Sequence, residues 1–152
     1  MSETITVKKR NILLWIAILI FVTFYPMLIS IYVFLPLFIG AMSYFLIQGL
    51  EQGKYSYIMF ALIYLINLEV NLSLPLFFTI MSALIFYVGI YPSLLHFRKC
   101  QVCKALISVV ILDLIYLGVL FSYDFIFNTN SIELDMILVY SLVVDMLVVV
   151  LL

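Results

Sequence analysis

The sequence predicts an all-α integral membrane protein with six transmembrane helices and cytoplasmic N- and C-termini. Three observations lead there. Hydrophobic residues make up 68% of the 152-residue chain and charged residues 10%, against about 25% charged in a soluble domain. Residues 11–50 form a 40-residue run without one charge, twice the roughly 20 apolar residues that a helix needs to cross a bilayer. Finally, division into six spans sends all seven basic residues to one side.

The first span covers about 11–30 and the second about 32–50. Proline disrupts a helix interior, so the turn between them is expected near Ser30, between Pro26 and Pro36. Glu51-Gln52-Gly53-Lys54 closes the second span, and the third runs from about 55 to 72. Ser73-Leu74-Pro75 reads as a helix start with Pro75 in the tolerated first turn. The fourth span then covers about 75–96. The most polar block of the chain follows, from His96 to Lys104. The fifth span covers about 105–125, Asn128-Thr129-Asn130-Ser131 is a loop ending in Glu133 and Asp135, and the sixth span covers about 135–152.

Basic residues mark cytoplasmic loops. Lys8, Lys9 and Arg10 precede the first span, Lys54 follows the second, and Arg98, Lys99 and Lys104 follow the fourth. All lie on one side, while Asp124, Glu133 and Asp135 lie on the other. The expected location is a bacterial cytoplasmic membrane, crossed several times. The apolar run after Arg10 is too long for the core of a cleaved signal peptide, so the N-terminus is expected to be kept. One membrane domain accounts for the chain, and chemistry in water would fall to loops of about ten residues or fewer.

Glu69, Asp113 and Asp145 fall inside spans that contain no lysine or arginine. An acid at mid-membrane costs about 2.5–3.5 kcal/mol on insertion scales. Each is therefore protonated, hydrogen-bonded, wet or matched by another protein. Ser141 and Asp145 share a helix face, and Asp113 and Tyr116 can be neighbours. Asn67 and Asn71 share a face that excludes Glu69. This segment is either encased by neighbouring helices or unwinds near Asn71, which is tolerated only inside protein or beside a wet cavity. Two roles stay open for Asn67, Glu69, Asn71, Asp113 and Asp145: cohesion between helices, or a cavity or partner surface. A proton relay lacks an intramembrane histidine or base.

His96, Cys100 and Cys103 have ligand-like spacing, but a structural zinc site takes four ligands. They are weak metal candidates, and a reduced cytoplasmic loop is the preferred reading. Catalytic triads, phosphate-binding loops and zinc-protease signatures are absent from the sequence. No enzyme activity, cofactor or nucleic-acid partner is expected.

Three stretches carry a family resemblance: "IYLINLEVN" with Glu69, "LPLFFTIMSALIFYV" after it, and "VVILDLIYL" with Asp113. In layout, residues 32–125 resemble the rod shape-determining MreD family, with an acid late in a middle span, a short basic loop, and another acid mid-span. Position 69 holds Glu where that family often has Asp. The resemblance implies a non-enzymatic scaffold of the cell-wall elongation machinery, beside an MreC-like partner, the actin-like MreB and peptidoglycan synthases. That family's fold is similar to the substrate-binding S component of vitamin transporters, which implies the alternative of a small-solute binding membrane subunit.

Overall fold

The computed structural model describes residues 2–32, 34–94, 101–128 and 136–151, with side chains described at 13–32, 34–94, 102–128 and 139–151. Its described residues are helical, without strands: α1 (Ser2–Ile31), α2 (Ile39–Gln52), α3 (Tyr55–Asn71), α4 (Phe78–Gly89), α5 (Tyr91–Leu94), α6 (Gln101–Phe127) and α7 (Met136–Leu151). Leu13–Ile31 and Val102–Phe127 are long and apolar enough to cross a membrane; Tyr55–Asn71, Phe78–Gly89 and Val139–Leu151 are shorter apolar helices.

The helix α1 passes through Pro26, as membrane helices can when surrounding groups satisfy the freed carbonyl. The break expected near Ser30 instead lies at 32–38, around Pro36. Of the residues assigned to the start of a second span, 32 and 34–38 are not helical, and α2 has 14 residues, about 21 Å at roughly 1.5 Å per residue. Gly53, in a left-handed conformation with φ 64°, closes it, and the Gly53 N–H donates to Gly49 O.

α3 ends where the sequence suggests, in a Schellman motif. Leu74 N–H donates to Glu69 O at 2.9 Å and Ser73 N–H to Val70 O at 3.3 Å. Ser73 takes the left-handed position, φ 54°, that glycine usually fills. The next helix starts at Phe78, three residues beyond Pro75, so Pro75 lies in the connection and not in the first turn. Pro92 explains the interruption at Ile90: its ring and missing N–H stop α4 before it, and it then sits in the first turn of α5.

α2 is the central helix, packed against α3, α6, α4 and α7, while α1 packs along α3. Val22, Tyr64, Leu65, Leu68 and Leu120 form one buried cluster. Ile47, Ala61, Phe86 and Leu112 form a second. The outer faces of α1, α6 and α7 expose large apolar side chains, among them Leu13, Leu19, Phe24, Leu114, Phe125 and Leu147.

Candidate functional site

Two helices begin inside the bundle, and both begin in the same way. The tetrapeptide Leu-Pro-Leu-Phe occurs at 35–38 before α2 and again at 74–77 before α4. In each copy the phenylalanine is the N-cap residue and is left-handed: Phe38 at φ 51° and Phe77 at φ 70°. Neither helix is capped by a side chain from its own N-cap. An acid on another helix supplies the acceptor in both places.

At the second break the acid is Glu69, which is fully buried. Its Oε2 accepts from Phe77 N–H at 2.7 Å. Its Oε1 accepts from Thr79 N–H at 2.7 Å and from the Thr79 hydroxyl at 2.8 Å. The positive end of α4 and three donors thus replace the missing lysine or arginine.

At the first break the acid is Asp145 on α7. Its Oδ2 accepts from Gly40 N–H at 2.9 Å and Ala41 N–H at 3.4 Å. One turn away, Ser141 Oγ accepts from Leu37 N–H at 2.9 Å, so the shared face of Ser141 and Asp145 grips the break at two points. Tyr64 donates its hydroxyl to Leu37 O at 3.0 Å, and Tyr25 donates to Pro36 O at 3.1 Å. Asp113 on α6 packs against Gly40 so closely that a Cβ there would lie 2.6 Å from both carboxyl oxygens. Any larger residue at that position would force the Asp113 carboxyl to move. Among the described residues, Asp113 Oδ2, Asp145 Oδ1 and the Tyr116 hydroxyl are buried without a hydrogen-bond partner. Tyr116, though close to Asp113 in sequence, does not satisfy it.

The asparagines do share a face: Asn71 Nδ2 donates to Asn67 Oδ1 at 2.8 Å and to Asn67 O at 2.7 Å. Asn67 Nδ2 donates to Thr23 O at 2.7 Å, joining α3 to α1. Glu69 is encased by neighbouring helices, and α3 ends at Asn71.

At the far end of α2 a polar cluster joins α2, α5 and α6. The Tyr91 hydroxyl donates to Glu51 Oε2. Lys104 Nζ donates to Tyr91 Oη at 2.8 Å and lies 3.6 Å from Glu51 Oε1. Beside it lie a cavity of about 400 Å³ reached by Gln48, Glu51 and Lys104, and one of about 590 Å³ reached by Gln52, Lys54 and Val149.

Of the candidate metal ligands, His96 and Cys100 lie outside the described residues, as do Arg98, Lys99, Glu133 and Asp135. Cys103 is disulfide-bonded. This corrects the expectation of a reduced cysteine at 103 and removes Cys103 as a thiolate ligand. Among the described residues no group of three His, Cys, Asp or Glu could hold a metal ion.

Helix spacing alone does not point to Gly40, Ala41, Phe77 and Thr79 as partners of the acids. The repeated Leu-Pro-Leu-Phe is the signal that could have found them. No protein-family model, curated protein or solved structure matches this chain.

Proposed function

We propose that this chain is a non-enzymatic scaffold of a bacterial cytoplasmic membrane. In this reading it crosses six times, has both termini inside, and serves the cell-wall elongation and cell-shape machinery. One observation carries the scaffold reading. The polar side chains Asn67, Glu69, Asn71 and Ser141 are spent on the protein's own helix breaks and contacts, while the outward faces are apolar. Such a molecule recognises neighbours by lateral packing within the bilayer. The layout resemblance to the rod shape-determining family supports the cellular role, and the one-sided basic residues support the orientation.

Depletion in a rod-shaped host is expected to round the cells, and an MreC-like protein is expected to copurify from native membranes. Normal morphology after clean deletion, with no such partner in crosslinking, contradicts the proposal. A solute-binding subunit is the second reading. It is favoured by the two cavities beside Gln48, Gln52 and Lys54, not by a pocket at Glu69, whose oxygens are already engaged. Ligand-dependent thermal stabilisation that Gln48→Leu abolishes would support it.

A further inference from the structure

The two helix breaks differ in one respect. At the second, a single carboxylate meets three donors. At the first, two carboxyl groups converge on Gly40, and the donors there are the N–H groups of Gly40 and Ala41. Both donate to Asp145 Oδ2. Asp145 is 1% exposed, yet its Oδ1 has no partner, and neither has Asp113 Oδ2.

We propose that Asp113 and Asp145 hold one proton between them, making the start of α2 a proton-binding site inside the membrane. Four arguments converge. A buried carboxyl oxygen without a donor is costly, and a proton is the smallest donor that supplies one. Among the described residues the groups facing the pair bring no cation: Tyr25 from α1 and Tyr64 from α3 stand within electrostatic range of Asp145, and both direct their hydroxyl protons to linker carbonyls. On α6, Tyr116 is the nearest further titratable group in sequence, and it is neutral. The N-terminus of α2 presents N–H groups and positive dipole, which disfavours a metal cation beside Gly40 and favours an anion. The Gly40 N–H reaches both acids and the Ala41 N–H goes to Asp145, so Asp145, with the fuller donor set, is that anion. Asp113 is the group that carries the proton. The fourth argument is the repeat itself: at the equivalent position of the second break, Thr79 donates where Gly40 is backed by a second acid.

The test is infrared difference spectroscopy of the protein in lipid nanodiscs at neutral pH, reading the carbonyl stretch of a protonated carboxylic acid. The expected result is a band in the unmodified protein that is lost in Asp113→Asn and retained in Glu69→Gln. Replacing choline by sodium should leave it unchanged. Labelling aspartate with carbon-13 at its carboxyl should shift the band in the unmodified protein, an assignment that needs no folded variant. Absence of the band, its survival in Asp113→Asn, its insensitivity to aspartate labelling, or its loss on adding sodium would each overturn the proposal.

Discussion

Replacing Glu69 tests whether α4 depends on an acceptor from another helix. Glu69→Ala removes three hydrogen bonds at once, to Phe77 N–H, Thr79 N–H and the Thr79 hydroxyl. The hydroxyl can rotate to a backbone carbonyl, but the two N–H groups cannot turn. A buried donor left unpaired costs about 1–3 kcal/mol, so the pair predicts about 2–6 kcal/mol. Glu69→Gln keeps one acceptor oxygen and turns an amide against the other N–H, so about half that loss is expected, roughly 1–3 kcal/mol. The measurement is thermal unfolding in one detergent, followed by size-exclusion recovery of a fluorescent fusion. The expected order is wild type, then Glu69→Gln, then Glu69→Ala. Thr79→Val removes only the hydroxyl bond and should cost about 0.5–1.5 kcal/mol. Combined with Glu69→Ala it should cost less than the sum, because the two share one contact. If Glu69→Ala unfolds with the wild type, or the double variant is additive, the capping argument is wrong.

Other outcomes follow from the same contacts. Gly40→Ala would place a methyl 2.6 Å from the Asp113 oxygens; overpacking of about 1–3 kcal/mol is expected, and Asp113→Ala in the same chain should restore part of the lost thermal stability. Tyr64→Phe leaves buried Leu37 O without its donor and should cost about 1–3 kcal/mol in the same unfolding assay. Glu51→Gln disturbs a pair whose side chains are 20% and 44% exposed; its cost should stay below about 1 kcal/mol, well short of the Glu69 variants.

Charge and loop composition made much of the helical order readable. The third helix starts after Lys54, because the polar stretch Glu51-Gln52-Gly53-Lys54 interrupts a long apolar run there. The breaks were less readable. Pro26 and Pro36 look alike as residues, yet one sits inside a continuous helix and the other in an unwound connection. The difference is tertiary: Tyr25, Tyr64 and Ser141 supply partners to the backbone at 36–37, and two of these three come from distant helices. The acids posed a similar problem. A search for basic partners finds none in the spans, because the partners are backbone N–H groups at helix starts. Those become visible only once Leu-Pro-Leu-Phe is recognised as a repeated break. Asn67 and Asn71, whose contact depends on helix spacing alone, were legible from the start.

In the proposed topology α2 and α4 enter from one side of the membrane and the basic residues face the other. Single cysteines at Gln52, Ser73 and Asn128, in a chain with Cys100 and Cys103 replaced by serine, test this with a membrane-impermeant maleimide on spheroplasts. Ser73 and Asn128 should label on intact spheroplasts, and Gln52 only after permeabilisation. Labelling of Gln52 and Asn128 from the same side would contradict the account.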